Sequence, residues 1–310
     1  MWFILASMTR RTLLAAATAP ASDVPILDTH IHLFDPNRPK GIPWPPKDDK
    51  VRYKPALPPR YIDLTKNLGV AGAIELECSP WIEDNQWVLD VSAPAPIMVG
   101  MIGNLPPGDK SFRSEFNRLR KNPLFLGIRY GNIWGYDIGN ELGKPEFIAG
   151  LKELAKAGMI LDSANPNLKL LTDLRRASDL VPDLRIMIDH LPGMEGLDKA
   201  DAVLKDLSAR KQIYVKVSAV LKKKNGATIT DAAYYKPVLD EMWQRFGEDR
   251  VVYGSDWPNS DGLGTYEQVL TVVRNYVSTK PRQIAEKYFY KNSIAAYRWK
   301  PRTAAQKKLL

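Results

Sequence analysis

The chain has 310 residues, of which 45% are hydrophobic and 25% are charged, proportions typical of a globular protein and not of a disordered or collagen-like chain. At roughly 150 residues per domain, this length fits two small domains or one large unit such as an α/β barrel. The net charge of +9 suggests an acidic partner such as nucleic acid. However, Arg10 and Arg11 near the N-terminus contribute +2, and the segment from Arg298 onward contributes +5. The residues between them carry only +2, which argues against nucleic-acid binding.

The N-terminal residues predict an export signal. Arg10 and Arg11 precede a short, mildly apolar stretch and a run of small residues, the order typical of a twin-arginine signal. Such signals begin close to the initiating methionine, so Met8 competes with Met1 as the true start. We assign residues 1–22 to this signal and expect a periplasmic protein; the alternative, a disordered arm with two chance arginines, would leave the protein in the cytoplasm. No apolar run approaches the roughly 18 residues of a membrane-spanning helix, so no membrane partner is expected.

From residue 23 onward, short apolar or β-branched runs alternate with amphipathic helical patterns. Eight runs predict strands at residues 26–30, 71–77, 97–102, 125–130, 159–162, 185–190, 213–218 and 251–255. Eight patterns predict helices at residues 60–68, 85–91, 112–120, 146–157, 168–180, 198–210, 232–246 and 266–277. Eight strand-helix units predict an α/β fold, a single (β/α)8 TIM barrel over residues 23–299, with a frayed basic tail at 300–310. An open doubly wound sheet is the alternative, but the Gly-rich turn that a nucleotide-binding sheet needs after strand one is missing from the sequence.

A proline-rich segment follows the first strand. Between Asp35 and Pro59 stand eight of the chain's 24 prolines, interleaved with Trp44 and Tyr53. Because proline fixes φ and lacks an N–H donor, this stretch is expected to form a stiff loop and neither a helix nor a central strand. Loops after barrel strands lie over the active-site mouth, so we expect this one to cover the pocket, with surface decoration as the alternative.

All three histidines of the chain fall at the predicted C-terminal ends of strands. His30 and His32 alternate, which places both imidazoles on one face of strand one, while His190 ends strand six and Asp256 follows strand eight. In a barrel these four groups converge on the axis at one end. Two neighbouring imidazoles make half of a metal site or bind an oxyanion, so the pattern predicts a catalytic centre.

Five short motifs stand in order at strands one, four, six, seven and eight: His30-x-His32, Gly127-Ile128-Arg129, Asp189-His190-Leu191, Val215-Lys216-Val217-Ser218 and Gly254-Ser255-Asp256-Trp257-Pro258. Together they resemble the amidohydrolase superfamily and, more narrowly, its amidohydrolase-2 branch, which includes sugar-lactone and pyrone-dicarboxylate lactonases and some decarboxylases. The resemblance runs from about residue 28 to residue 299.

The resemblance implies roles for individual residues. His30, His32 and Asp256 match the metal ligands of the superfamily, and Asp256 also matches the base that activates water or shuttles a proton. His190 matches the strand-six histidine that binds metal or polarises the substrate carbonyl.

The chain also departs from the superfamily pattern. Strand five offers Asp162 or Ser163 where binuclear members have a histidine, and strand four offers Arg129 but no lysine that could be carboxylated. A binuclear centre is therefore not expected. The resemblance implies one divalent metal ion, with Zn2+ as the first expectation, or none.

The predicted reaction is the hydrolysis of a lactone or related cyclic ester. It requires a nucleophilic water and an ester carbonyl whose oxygen is stabilised as it gains charge. Asp256 would accept the proton of the water, and a bound Zn2+ or, without metal, the three histidines would stabilise the oxyanion. Arg129 is predicted to pair with a substrate carboxylate or hydroxyl, with a structural salt bridge as the alternative.

Acidic and aromatic residues near strand ends are candidates for substrate binding. Glu75 and Glu77 share one face of strand two, and Glu77, nearer the mouth, is predicted to contact a hydroxyl or the metal, against a buried ion pair with Lys216. Tryptophans that follow strands two, four and eight are interpreted either as an aromatic wall or as packing plugs. These are Trp81, Trp134 and Trp257. The substrate-binding residues are thus predicted to be Glu77, Trp81, Tyr130 and Trp257.

Two other functions stay open at this point. One is a metal-dependent decarboxylase of an aromatic or enoic acid, and the other is a non-catalytic barrel that binds a carbohydrate. The expected partner is a small-molecule substrate, and a homo-oligomer is left open. The lone Cys78 excludes an internal disulfide and is not expected to act as a nucleophile.

Overall fold

The computed structural model describes residues 23–190 and 197–310, and its main sheet has eight parallel strands. Helices cover one face of these strands and the barrel interior lies on the other, so nearly every strand residue is buried and most strand residues are apolar. The strands are β1 (Ile26–Ile31), β2 (Val70–Leu76), β3 (Met98–Gly103), β4 (Phe125–Arg129), β5 (Ile160–Ser163), β6 (Arg185–Ile188), β7 (Ile213–Val217) and β10 (Val251–Tyr253). A small antiparallel hairpin, β8 (Lys223–Lys224) and β9 (Ala227–Thr228), stands between β7 and β10.

The sheet closes into a barrel where β10 meets β1. From β1 to β7 each strand pairs in parallel with the next one in the chain, and β7 pairs with β10. Just beyond β10, the backbone N–H of Asp256 donates to the carbonyl of His30 at 2.8 Å, and that of His32 donates to the carbonyl of Trp257 at 2.7 Å. The predicted (β/α)8 TIM barrel is confirmed, and the ends of all eight strands lie within two residues of their expected places.

Amphipathic helices surround the barrel, and local sequence explains where several begin. Proline occupies the first turn of α1 and α5, where no N–H is needed, and Thr265 forms a capping box with Gln268 at the start of α9. The helices are α1 (Pro58–Thr65), α2 (Asp84–Ser92), α3 (Phe112–Leu119), α4 (Ile138–Glu141), α5 (Pro145–Lys156), α6 (Leu168–Leu180), α7 (Asp201–Ala209), α8 (Ala232–Phe246), α9 (Tyr266–Val277), α10 (Arg282–Glu286), α11 (Asn292–Tyr297) and α12 (Ala304–Lys307). The eight predicted helices correspond to α1–α3 and α5–α9.

The C-terminal residues pack against the base of the barrel. Arg185, at the start of β6, donates from Nε to the carbonyl of Ala296 at 2.8 Å. The guanidinium of Arg302 donates to the carbonyls of Ala95 at 3.0 Å and Met98 at 2.8 Å, at the start of β3. The tail is therefore not frayed at Arg302, because the carbonyls of Ala95 and Met98 give its guanidinium specific acceptors.

No helix in the described parts of the chain combines the length and the apolar character needed to cross a membrane. The export signal predicted for residues 1–22 lies outside the described residues.

Candidate active site

The candidate site lies at the C-terminal end of the barrel, beside the closure between β1 and β10. The register of β1 against β2 shifts after Asp28. Asp28 lies on the helix side of the strand, where its carboxylate accepts hydrogen bonds from the hydroxyls of Tyr61 at 2.9 Å and Tyr266 at 3.0 Å. Beyond the shift, the rings of His30 and His32 lie together, with centroids 5.0 Å apart. The two histidines therefore meet as their alternation predicts.

Three buried side chains converge at this end of the barrel. The Oδ1 atom of Asp256 lies 3.4 Å from Nε2 of His30 and 3.3 Å from Nε2 of His32. Each of the three residues offers one potential metal-ligand atom, and these three atoms lie within 4.8 Å of one another. None of the three residues is more than 5% exposed. The predicted convergence of residues more than 220 positions apart is thus present.

The hydrogen bonding of His32 requires a positive charge between it and Asp256. Nδ1 of His32 lies 2.7 Å from the carbonyl oxygen of Leu76, which only accepts, so Nδ1 carries the hydrogen. In the neutral ring Nε2 is then an acceptor, and it faces a carboxylate oxygen at 3.3 Å. Two acceptors at this distance are compatible only with a proton or a cation between them.

These residues fit one divalent metal ion. Zinc binds histidine nitrogens and carboxylate oxygens at roughly 2.0–2.2 Å, so two ligand atoms of a tetrahedral site lie roughly 3.4 Å apart. The two separations from Asp256 Oδ1 match that spacing, and both ring nitrogens of the fully buried His30 are without a hydrogen-bond partner in the described structure. Within residues 23–190 and 197–310 this is the one cluster of three such ligands.

A buried ion network stands behind the metal-ligand cluster. Nζ of Lys216 lies 2.9 Å from Asp162 Oδ2 and 2.8 Å from Asp189 Oδ1, and the hydroxyl of Tyr297 donates to Asp162 Oδ2 at 2.7 Å. Asp189 Oδ1 also lies 3.8 Å from Nδ1 of His30. Burial, together with the charge of Lys216, holds the pKa of His30 well below its ordinary value, so His30 is a neutral ligand. Asp162, which occupies the strand-five position, is engaged by Lys216 and is not among the clustered ligands.

His190 borders the same cluster from β6. Its Nδ1 lies 2.8 Å from the hydroxyl of Ser218, and its ring centroid is 4.5 Å from that of His30. Burial is the main cause that lowers the pKa of His190 to about 4, so the ring is neutral near pH 7. For Asp256 burial acts in the opposite direction, but His190, His32 and a hydrogen bond from Asn259 outweigh it, and the pKa is lowered. The site thus keeps the imidazoles of His30 and His190 neutral beside an ionised carboxylate.

A cavity of about 370 Å³ opens onto this centre, within the range of roughly 300–1,000 Å³ usual for small-molecule sites. Trp44, from the proline-rich loop, lines it and lies edge-on to His32, with ring centroids 5.7 Å apart. The loop therefore covers the pocket as expected.

The rest of the cavity wall combines aromatic and amide groups. Trp134 and the side chains of Asn132, Asn165 and Asn259 line it. Asn132 and Asn165 follow β4 and β5, and each donates from its side-chain amide to the backbone carbonyl of the other, at 2.9 and 3.2 Å. Sequence analysis did not single out these three asparagines, although their positions just after strands were an available signal.

Arg129 and Glu77 form a buried ion pair. Nε of Arg129 donates to Glu77 Oε1 at 2.8 Å, and Nη2 donates to the backbone carbonyl of Glu77 at 2.6 Å. The second carboxylate oxygen accepts a hydrogen bond from Nε1 of Trp134 at 2.8 Å. Glu77 does not line the cavity, and its role as a metal or substrate contact stays a prediction that these contacts do not support. The alternative, a buried ion pair, exists, but its partner is Arg129, because Lys216 pairs with Asp162 and Asp189. Arg129 borders the cavity with part of its fork already used.

Three predicted aromatic contacts lie away from this cavity. Trp257 is fully buried and packs on Tyr61, at a centroid distance of 5.3 Å. Tyr130 is buried and stacks on Tyr136 at 4.6 Å, while the ring of Trp81 lies 3.9 Å from the ammonium of Lys40. Trp81, Tyr130 and Trp257 therefore do not line this cavity, and their role as substrate contacts stays a prediction that the placement of these rings does not support.

Two further residues near strand two lie close to this site. Glu75 lies with Glu77 along a separate small cavity between β2 and α2, and the neighbouring carboxylate of Glu77 adds to the burial that raises the pKa of Glu75. Cys78 borders the main cavity, but its thiol lies 3.4 Å from the carbonyl of Leu33 and burial raises its pKa well above the ordinary value. A thiol held in this way is a poor nucleophile.

Comparison with known proteins gives consistent results. The family model of the Amidohydro_2 amidohydrolases matches residues 27–299. An L-fucono-1,5-lactonase of Burkholderia ambifaria is 25% identical over 251 residues, which cover 77% of this chain and 82% of that protein. Among solved structures, an amidohydrolase from Burkholderia multivorans with bound zinc is 17% identical at a TM-score of 0.77, over 89% of this chain and all of that one. A probable 2-pyrone-4,6-dicarboxylic acid hydrolase from Acinetobacter baumannii with bound citric acid is 18% identical at a TM-score of 0.70, over 88% and 98% of the two chains. At these identities the two solved structures confirm the fold alone.

Proposed function

The chain belongs to the Amidohydro_2 family of amidohydrolases, and from that membership we propose that it hydrolyses a lactone with a water activated by Asp256. The observation that carries the proposal is the ionised, buried carboxylate of Asp256, with Oδ1 at 3.3–3.4 Å from two imidazoles and at the floor of an open cavity. A base in this position can take a proton from a water in the cavity, where there is also room for the substrate carbonyl.

In the first step, a water oxygen attacks the carbonyl carbon of the lactone while its proton passes to Asp256. The carbonyl oxygen gains negative charge, and the neutral ring of His190 borders the cavity where that charge develops. In the second step, the bond between the carbonyl carbon and the ring oxygen breaks, and Asp256 returns the proton to the departing oxygen. The product is an open-chain hydroxy acid, and Asp256 is ionised again.

We propose that His30, His32 and Asp256 hold one divalent ion, with Zn2+ as the first choice on the chemistry of the donor set. Bound there, such an ion supplies Lewis acidity, which polarises a carbonyl and lowers the pKa of bound water to roughly 7. The protein's own contribution is the fixed orientation of the ligands: the carbonyl of Leu76 sets the tautomer of His32.

The cavity favours a neutral, hydroxyl-rich lactone. Its wall includes the amides of Asn132 and Asn165, and amide groups donate to and accept from hydroxyls, while Trp44 and Trp134 offer apolar ring faces. Arg129 is the one arginine or lysine that lines this cavity in the described structure, and Glu77 already balances its charge. Lys222 and Lys223 line an adjoining cavity that shares His190 and Asp256, so the preference for a sugar lactone over a dicarboxylate depends on the amide and ring groups of the first cavity and on the similarity to an L-fucono-1,5-lactonase.

The test is a substrate panel assayed before and after removal of bound metal with a chelator and reloading with Zn2+ or Mn2+. The panel contains L-fucono-1,5-lactone and other sugar lactones, 2-pyrone-4,6-dicarboxylate and aromatic acids. We expect acid release from one or more sugar lactones and its loss on chelation. Release of carbon dioxide from aromatic acids without acid release from lactones would instead support a decarboxylase, and sugar binding without turnover would support a carbohydrate-binding barrel.

We propose that the protein is exported to the periplasm by the twin-arginine signal of residues 1–22. The support is the sequence of that segment alone. Fractionation of cells that express the full chain tests this proposal, with Arg10→Lys/Arg11→Lys as the variant. We expect the wild type in the periplasm and the variant in the cytoplasm; a cytoplasmic wild type would contradict export.

A further inference from the structure

One side chain joins Asp256 to the loop that covers the cavity. Asn259 lies in a short 3-10 turn after β10, and its Nδ2 donates to Asp256 Oδ2 at 2.9 Å. Its Oδ1 accepts a hydrogen bond from Nη1 of Arg52, in the proline-rich loop, at 2.6 Å. Arg52 is therefore linked to the proposed catalytic carboxylate of Asp256 through Asn259, which lies 207 positions after Arg52 in the sequence.

The chemistry of the two ends determines how the amide of Asn259 is oriented. A guanidinium only donates hydrogen bonds and an ionised carboxylate only accepts them. Oδ1 of Asn259 must therefore face Arg52, and Nδ2 must face Asp256. With Arg52 present, rotation of the amide by 180° would place an NH2 group against the guanidinium and an oxygen against the carboxylate.

Arg52 is itself held in place, and it is not among the residues that line the cavity. Nε of Arg52 donates to Asp49 Oδ2 at 2.6 Å, and its backbone N–H donates to Asp49 Oδ1 at 2.9 Å. Its guanidinium carbon lies 5.6 Å from the ring centroid of Trp44. Any effect of Arg52 on the reaction must therefore pass through Asn259 or through the placement of Trp44.

The carboxylate of Asp256 needs such support because its two oxygens have different tasks. Oδ1 is the atom that faces His30 and His32, while the side-chain contact of Oδ2 is with Asn259. The residue also adopts a left-handed backbone, with φ of 61°, which non-glycine residues rarely occupy without help from their surroundings. Rotation of the carboxylate would move Oδ1 away from the histidines.

We propose that Arg52 is a positioning residue, which acts through the amide of Asn259 to keep Asp256 Oδ1 directed at His30 and His32. The proline-rich loop then has two tasks: Trp44 covers the cavity, and Arg52 orients the base. As far as it concerns turnover, this inference rests on the proposed lactone hydrolysis.

A double-mutant cycle separates the two routes by which Arg52 can act. Arg52→Met keeps much of the apolar stem beside Trp44 but removes the donor, and Asn259→Ala removes the link. We expect each single variant to lower kcat about tenfold, with the Arg52→Met KM within about twofold of wild type, and Arg52→Met to change kcat by less than about twofold when Asn259 is already alanine. Arg52→Lys, which can still donate to Asn259, should recover most of the loss.

Arg60→Met is the matched control. Arg60 also reaches the 3-10 turn, where its Nη2 donates to Asp261 Oδ2 at 2.8 Å, but in the described structure the side chain of Asp261 makes no hydrogen bond to Asp256. We expect its kcat to stay within about twofold of wild type. Thermal unfolding of each variant shows whether the fold is retained, and Asn259→Ala tests the link independently if Arg52→Met fails to fold.

The proposal is overturned if Asn259→Ala leaves kcat within twofold of wild type, or if Arg52→Met lowers kcat equally in the presence and absence of Asn259. A crystal structure of Arg52→Met gives a readout that does not depend on turnover. We expect Nδ2 of Asn259 to have left Asp256 Oδ2; an unchanged pair near 2.9 Å would overturn the proposal even if the wild type hydrolyses lactones. Absence of lactone turnover by the wild type would count against the proposed function, and the crystal structure would still decide the role of Arg52.

Discussion

Oδ1 of Asp256 lies 3.3 Å from Nε2 of His32, although 224 residues separate them in the chain. The contact exists because the barrel closes between β1 and β10, where backbone hydrogen bonds join the two residues' own segments. The same closure brings His30 to 3.4 Å from the same oxygen. The fold thus creates the candidate metal site directly at the point where its first and last barrel strands meet.

Replacement of Lys216 by methionine is expected to lower the free energy of unfolding by about 3–5 kcal/mol. The reason is that Asp162 and Asp189, both fully buried, would lose the cation that they share. Urea denaturation measures the change, and adding Asp162→Asn should recover part of it. Lys66→Met is the control, since its ion pair with Asp63 is exposed and should contribute no more than about 1 kcal/mol. Equal effects of the two lysine variants would contradict this account.

Glu75→Gln is expected to stabilise the protein increasingly as the pH rises. Burial, reinforced by Glu77, raises the pKa of Glu75 well above its ordinary value. Above about pH 4.5, the unfolded chain loses this proton while the folded protein keeps it, so wild-type stability falls by up to about 1.4 kcal/mol per pH unit until the folded pKa is reached. Glutamine does not titrate and escapes that loss.

Urea denaturation of wild type and Glu75→Gln between pH 5 and pH 8 measures the difference. Glu83→Gln is the control, because a hydrogen bond from Lys40 lowers the pKa of the exposed Glu83 and removes its titration from this range. A stability difference for Glu75→Gln that stays constant with pH would show that Glu75 is ionised in the folded protein.

Trp44→Ala is expected to raise KM for the lactone by about tenfold and to change kcat less, because the ring forms part of the cavity wall beside His32. Trp257→Phe is the control for a tryptophan that does not line the cavity, since Trp257 is fully buried and packs against Tyr61. We expect it to lower the free energy of unfolding by about 1–2 kcal/mol and to leave KM within twofold. Steady-state kinetics of both variants checks the assignment, and a larger KM change for Trp257→Phe would refute it.

The barrel and the metal-ligand cluster were predictable from sequence because both depend on regular spacing. The alternation of short apolar runs with amphipathic helical patterns predicted the eight strands. The positions of His30, His32 and Asp256 at strand ends predicted that these three side chains meet at one end of the barrel. The resemblance to amidohydrolases, based on five motifs in order, is confirmed by the family match over residues 27–299.

Side chains that follow the strands were less predictable, because spacing rules end where the regular strand ends. Asp256 has a positive φ, and the next ring, Trp257, packs on α1 and does not enter the cavity. Tyr130 likewise stacks on Tyr136. The choice of Arg129 as partner of Glu77 depends on packing between strands, which the order of residues in one chain does not reveal.

The most direct test of the central claim compares acid release from sugar lactones by the wild type and by Asp256→Asn, in a pH-stat with metal present. Asp261→Asn, at a partly exposed ion pair with Arg60, is the matched control. We predict turnover by the wild type and by Asp261→Asn, and a loss of about 10²–10⁴-fold in kcat for Asp256→Asn with the fold retained. An Asp256→Asn variant that hydrolyses the same lactone at the wild-type rate would contradict the account.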